Sequence, residues 1–220
     1  VAALIDHTLL KAEATRNDIE RMCMEALQYR FASVCVNSVF VEQVSEALRN
    51  SPVKTCVVVG FPLGANLTAV KFDEARAALD LGALEIDMVI HIGGLKAGDD
   101  AAVRSEIESL SRLIHERRAI LKVIIETALL SEEEKVRACH IARNANADFV
   151  KTSTGFSTSG ATVGDVELMR REVGCEMGVK ASGGVRTLDD LLNMVDAGAT
   201  RIGTSNGVKI MEEALAKFGS

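Results

Sequence analysis

The chain has 220 residues, 48% of them hydrophobic and 25% charged, with a net charge of −6. That supports one large domain or two small ones, since a domain takes about 100–200 residues, and it excludes a disordered or fibrous chain. Aromatics make up 4%, with no Trp and Tyr29 alone among tyrosines, so stacking faces for single-stranded nucleic acid are lacking. The acidic balance argues against a polyanion-coating surface.

Eight short apolar runs alternate with longer amphipathic segments. Run 4–9 (LIDHTL) precedes a helix over 15–30 that opens on T-R-N-D and gathers Ile19, Met22, Cys23, Ala26 and Leu27 on one face. Run 32–37 (ASVCVN) precedes a helix near 39–50, run 54–60 (KTCVVVG) one near 67–81, and run 84–90 (LEIDMVI) one near 99–118. Run 119–126 (AILKVIIE) leads to 131–144, whose S-E-E-E start is a capping box in which the Ser and Glu side chains satisfy orphan backbone donors. Run 148–152 (DFVKT) leads to 163–172, run 178–181 (GVKA) to 187–197 with Gly198 as its C-cap, and run 201–204 (RIGT) to 206–218. The runs are short and rich in β-branched residues, as strands buried on both faces are. Eight strand–helix units predict a (β/α)8 TIM barrel. Right-handed crossovers fit an open doubly wound sheet as well, but the count of eight and the lack of a G-x-G-x-x-G after any strand favour the barrel. Nothing marks a linker, so residues 1–220 are read as one catalytic domain.

No apolar run reaches about 18 residues, so no membrane span is expected, and no signal peptide is visible. The chain opens at Val1 rather than Met, which leaves a removed leader open. The five cysteines form no C-x-x-C pair and have no His at zinc-like spacing. They are read as small buried hydrophobes in a reducing cytoplasm, and no metal site is expected.

Charges inside the apolar runs carry the functional signal. Neither face of a parallel barrel strand is wet along most of its length, so a charge there is costly unless it is paired or lies near the mouth. Three of the ten lysines, Lys122, Lys151 and Lys180, sit in three consecutive strands, and Asp6, Asp87 and Glu126 sit in or at the ends of strands. Parity turns Lys122 and Glu126 the same way, and likewise Lys151 with Ser153, Lys180 with Ser182, and Gly203 with Ser205. If these sides face inward, polar groups converge at the C-terminal mouth, where barrel enzymes keep their chemistry. A buried network of Lys122, Glu126 and Asp87 that only fixes the fold is the competing reading, weakened because buried ion pairs give stability little reason to retain them. Ammonium groups on adjacent strands about 5 Å apart repel by about 3 kcal/mol at an effective dielectric of about 20. That is enough to lower one lysine by about 2 pKa units. A neutral amine attacks a carbonyl carbon, so Schiff-base chemistry is the natural reading.

The loops after the last three runs, T-S-T-G (152–155), S-G-G-V-R (182–186) and G-T-S-N-G (203–207), offer small donors at helix starts. Barrels often bind phosphate there, although ordinary strand–helix turns favour the same residues. Arg186 fits either a phosphate contact or a solvated helix start. His7 reads as a hydrogen-bonded structural residue. His91 could line the mouth, as could Cys35 and Asn37, which share one side of the second strand. His115 and His140 fall in amphipathic helices and read as surface or packing residues.

IDHTLLK (5–11), VCVN (34–37), VVGFPLG (58–64), EIDMVI (85–90), LKVIIETALL (121–130), DFVKTSTGF (148–156), VKASGGVR (179–186) and GTSNGV (203–208) together resemble the deoxyribose-phosphate aldolase family, in order and with one motif per strand. The resemblance implies a (β/α)8 barrel and a cytoplasmic class I aldolase without metal or other cofactor. Such an enzyme reversibly cleaves 2-deoxy-D-ribose 5-phosphate to acetaldehyde and D-glyceraldehyde 3-phosphate. It implies Lys151 as the Schiff-base residue, Lys180 as the neighbour that perturbs it, and Asp87 in proton transfer. Lys122, Asp6 and Cys35 would support them, and Gly155, Gly183, Gly184, Gly203, Ser205 and Asn206 would hold phosphate. The implied imine acts as an electron sink for breaking C3–C4, with a water held by Asp87 and Lys180 taking the C3-hydroxyl proton. Partners would be the small phosphosugar and aldehydes, with no nucleic acid and no membrane; a homodimer or larger homo-oligomer stays open.

Several positions depart from the family pattern. His91 stands where Asn is common, Ser38 where Pro is, Phe156 where some members have Lys, and Asn206 where Ser is frequent. The chain ends K-F-G-S without the tyrosine some members carry. The alternative activity is a phosphosugar isomerase or epimerase on the same barrel, using carboxylate or His bases and no imine. A phosphosugar-binding sensor without turnover is a third reading, against which the three strand lysines argue.

Overall fold

An unbroken run of Val, Ile and Leu without polar alternation needs cover on both of its faces. The computed structural model, which describes residues 1–219, supplies that cover by closing the sheet on itself and ringing it with helices. The strands are β1 (Ile5–Leu9), β2 (Ser33–Val36), β3 (Lys54–Val59), β4 (Glu85–Val89), β5 (Ile120–Ile124), β6 (Phe149–Lys151), β7 (Gly178–Ser182) and β8 (Arg201–Thr204). They pair in chain order, all parallel, and β8 returns to pair with β1 through Asp6 opposite Gly203. This is the expected (β/α)8 barrel.

The helices are α1 (Arg16–Tyr29), α2 (Val41–Ala47), α3 (Thr68–Asp80), α4 (Ile92–Lys96), α5 (Asp100–Glu116), α6 (Glu132–Asn144), α7 (Val163–Val173), α8 (Leu188–Asp196) and α9 (Gly207–Phe218). Their starts follow the capping chemistry. Thr15 with Asp18, Ser131 with Glu134, and Thr187 with Asp190 each form a reciprocal capping box. Two helices differ from expectation. Sequence periodicity misses α4, a five-residue turn with Gly93 and Gly94 inside it, and it overruns α2, which ends near Ala47 before Asn50 turns left-handed at φ 63°.

Alternate strand residues point outward into one continuous apolar layer against the helices. Val34, Ile86, Leu121, Val150, Val179 and Ile202 are fully buried there, packed with helix residues such as Ile19, Ile107 and Leu191. Each such side chain stabilises the fold by about 1.5–3 kcal/mol. A second, smaller apolar cluster of Leu10, Cys35, Cys56 and Val58 lies inside the barrel. Most of the polar side chains that fill the rest of the barrel interior are charged, among them Asp6, Glu85, Asp87, Lys122, Lys151 and Lys180. None of the described helices is long and apolar enough to cross a membrane.

Candidate active site

The inward positions stack four cations on three carboxylates. Near the N-terminal end of the barrel, Arg201 lies 2.9 Å from Glu85 and 2.8 Å from Asp6. Above it Lys122 lies 2.6 Å from Glu85 and 2.8 Å from Asp87 Oδ1. Higher again, Lys151 and Lys180 stand opposite each other in register on β6 and β7. Both donate to one atom, Asp87 Oδ2, at 2.7 and 2.6 Å. Lys180 also lies 2.5 Å from Asp6 Oδ2, an ion pair off the hydrogen-bonding direction, while Ser33 donates to Asp6 Oδ1 at 2.6 Å. Cys56 Sγ donates to Asp87 Oδ1 at 3.2 Å, and Cys35 Sγ lies 4.0 Å from Oδ2. Of the six residues expected to carry or support the chemistry, Lys151, Lys180, Lys122 and Cys35 therefore gather on Asp87, and Asp6 joins them through Lys180.

Burial alone would drive these groups toward neutrality. For Asp87 it is outweighed by Lys122, Lys151 and Lys180, which hold the carboxyl well below its usual range. For Asp6 it is outweighed by Lys180, Lys122 and Arg201, with the same result. Burial likewise presses Lys122 and Lys180 down, but Asp87 acts on both, joined by Glu85 for Lys122 and by Asp6 for Lys180, and both end above the usual lysine value. The sequence argument weighed lysine against lysine only. The structure places a carboxylate between the pair, so Lys180 is held as the ammonium and not pushed toward the neutral amine.

Four members of this network escaped the sequence reading: Glu85, Arg201, Cys56 and Ser33. Parity could have found them, since Glu85 stands two before Asp87, Arg201 two before Gly203, and Cys56 opposite Cys35 and Glu85 in the register. Glu126 is the converse case. Strand β5 ends at Ile124, and Glu126 turns left-handed at φ 56°, so it leaves Lys122 and accepts hydrogen bonds from the Thr154 backbone (3.2 Å) and hydroxyl (2.5 Å). The cysteines are also less uniform than expected. Four are buried, two of them against Asp87, and Cys175 is exposed. His7 faces the helices, 2.7 Å from Glu25, while His115 and His140 pair with Asp148 and Glu172 at 2.9 and 3.0 Å.

At the C-terminal mouth a cavity of about 420 Å³ opens above Lys151. Gly203 of β8 and the turns after β6, β7 and β8, with Gly155, Gly183, Gly184, Ser205 and Asn206, line it; these are the six residues singled out for phosphate, and Lys11 and Arg186 add positive charge. Gly183 and Gly184 both take φ 84°, a conformation that favours glycine and turns backbone N–H groups toward an anion. A larger, open groove of about 560 Å³ lies at the opposite end of the strands, beside Arg112, His115 and Asn146. Its lining includes none of the buried lysines or carboxylates of the barrel interior, whereas the mouth cavity reaches Lys151.

Cys35, Cys56 and Asp87, and likewise Asp6, Cys56 and Glu85, bring ligand-type atoms within 4.8 Å of one another. Each carboxylate of those sets already faces an ammonium or guanidinium at 2.5–2.9 Å. A divalent cation would have to displace that charge, so the donor set does not fit a resident metal.

A barrel with a lysine pair on one carboxylate beneath an anion-ready rim has the layout of a lysine-dependent enzyme of small phosphorylated carbonyl compounds. The comparisons agree and narrow it. The chain belongs to the DeoC/LacD family of aldolases, whose family model matches residues 1–214. A deoxyribose-phosphate aldolase of Lysinibacillus sphaericus is 56% identical over 98% of this chain and 96% of its own length. One from Thermococcus gammatolerans is 56% identical over 97% and 96%. The solved deoxyribose-phosphate aldolase of Aeropyrum pernix, described as a unique tetramer, is 36% identical and superposes with a TM-score of 0.91 over 100% of this chain and 92% of that one.

Proposed function

We propose that this chain reversibly cleaves 2-deoxy-D-ribose 5-phosphate to acetaldehyde and D-glyceraldehyde 3-phosphate, through an imine on Lys151 and without a metal. The observation that carries the reading is the position of Lys151. It lines the mouth cavity, while Lys180 beside it is wholly buried and both share Asp87 Oδ2. Relatives more than half identical over nearly the whole chain carry that activity in their names.

Neutral Lys151 adds to the C1 aldehyde of the open-chain sugar. A C–N bond forms, water leaves, and a protonated imine remains. Acetaldehyde holds C1 and C2, so the carbon count puts the break at C2–C3, not at the C3–C4 bond expected above. A water held by Asp87 and Lys180 takes the C3-hydroxyl proton, and the C2–C3 electron pair moves into the imine to give an enamine. Glyceraldehyde 3-phosphate leaves. The enamine takes a proton at C2, and hydrolysis releases acetaldehyde and regenerates Lys151. Gly155, Gly183, Gly184, Gly203, Ser205 and Asn206 hold the phosphate, whose binding energy orients the reacting end.

An isomerase or epimerase would need a free carboxylate or imidazole as its carbon base. Asp87 instead accepts hydrogen bonds from three lysines. The whole chain acts as one catalytic unit on small molecules, and its free, mostly buried cysteines suit a reducing cytoplasm. The test is a coupled assay on deoxyribose 5-phosphate in excess chelator. Acetaldehyde should form at the rate seen without chelator. Loss of activity that returns with a divalent ion would overturn the metal-free reading, and no acetaldehyde under either condition would overturn the activity.

A further inference from the structure

Ser182 is the last residue of β7, two positions beyond Lys180 and directly before Gly183 and Gly184. It is 5% exposed and lines the mouth cavity together with Lys151. Its hydroxyl has no hydrogen-bond partner among the described residues. A buried hydroxyl left unpaired is destabilising, so its presence there calls for a use. The backbone that carries it is held from two sides. The Ser182 N–H donates to Thr152 Oγ1 at 3.1 Å, and its carbonyl accepts from the Thr152 hydroxyl at 3.2 Å and from the Ala161 N–H at 3.0 Å. Gly203, across the β7–β8 register, leaves open the space a side chain would take. A Cβ there would meet the Ser182 hydroxyl and come within 3.0 Å of Lys180 Cε. The hydroxyl and the lysine stem therefore border the same space.

Resting on the aldolase reading, we propose that Ser182 is a specificity residue that hydrogen-bonds the C4 hydroxyl of the sugar phosphate. This is the same oxygen as the C2 hydroxyl of the glyceraldehyde 3-phosphate acceptor in the reverse direction. Position along β7 gives the assignment. Lys180 lies at the level where the C3 oxygen reacts, and the glycine turn lies at the level of the C5 phosphate. Ser182 stands two strand residues, about 6.6 Å, beyond Lys180 and directly before that turn, and C4 bears the one hydroxyl between C3 and the phosphate-bearing C5. A site built around a substrate hydroxyl discriminates strongly against an analogue lacking it.

The experiment measures kcat/KM for addition of acetaldehyde to D-glyceraldehyde 3-phosphate and to 3-oxopropyl phosphate, which lacks that hydroxyl. It uses the wild-type chain and Ser182→Ala. The preference of the wild type for the hydroxylated acceptor should shrink about tenfold in the variant. Because an unpaired buried hydroxyl is removed, the ligand-free Tm of the variant should be no lower than that of the wild type. An unchanged preference overturns the proposal, as does a lowered Tm with equal loss on both acceptors, which marks a packing role. Borohydride trapping with acetaldehyde, run alongside, reports the aldolase reading separately. A wild type that neither traps nor turns over defeats that reading, whereas trapping and turnover with an unchanged preference defeat only the role of Ser182.

Discussion

At the scale of single residues, Asp87 organises the site. Its two oxygens take Lys122 on one side and Lys151 with Lys180 on the other, so one buried carboxylate offsets charge on three strands. The sequence made the three lysines visible because charges stand out in apolar runs. The carboxylates and Arg201 that balance them were partly hidden, because Glu85 and Arg201 sit at strand starts, where a charge passes for a solvated end. The titration of the network predicts a pH profile. Asp6 and Asp87 are depressed in the fold, so their contribution to stability is present above about pH 4, the unfolded aspartate value, and is lost as pH falls through the folded values. Lys122 and Lys180 are raised, so theirs is complete below about pH 10.4 and is lost as pH rises through the folded values. Burial also raises the thiols of Cys23, Cys56 and Cys139, whose contribution is lost as pH rises past the unfolded cysteine value of about 8.5. Denaturant midpoints of the ligand-free chain should therefore hold level only through about pH 7–8, and fall on the alkaline side beyond it and toward acid. A midpoint already declining steeply between about pH 7 and 8 would contradict this assignment, since the aspartate, lysine and cysteine reference values all lie outside that window.

At the scale of elements, strand and helix order was legible throughout, because β-branched runs and capping boxes are local signals. The end of β5 was not. Parity carried through to Glu126 assumes an unbroken strand, and the left-handed turn there depends on a partner two elements of chain away. That partner makes Glu126 a clamp on the turn after β6, the turn that follows Lys151 and carries Gly155. The Thr154 hydroxyl donates to Glu126 and in turn accepts from the Phe156 N–H at 3.1 Å. Thr154→Val removes both bonds while keeping the side-chain shape, and a hydrogen bond is worth about 0.5–1.5 kcal/mol. We expect KM for deoxyribose 5-phosphate to rise by about five- to tenfold, with a smaller change in kcat. The same change for the unphosphorylated sugar should be slight. Equal effects on both sugars would show that the turn does not serve the phosphate.

At the scale of the molecule, the net charge of −6 and the cationic site are reconciled by placement. The barrel interior holds Lys122, Lys151, Lys180 and Arg201 against Asp6, Glu85 and Asp87, an excess of one positive charge where the outer surface is acidic overall. The site needs one of those lysines neutral to attack a carbonyl, and Lys151 is the one that lines the cavity. The central claim is thus that the imine forms on Lys151 and not on its in-register neighbour Lys180. Treating the active chain with limiting acetaldehyde and borohydride, then mapping peptides by mass spectrometry, tests it most directly. The account predicts a single ethyl group on Lys151, and its occupancy should track loss of activity. An ethyl group on Lys180, or inactivation with Lys151 unmodified, would contradict it.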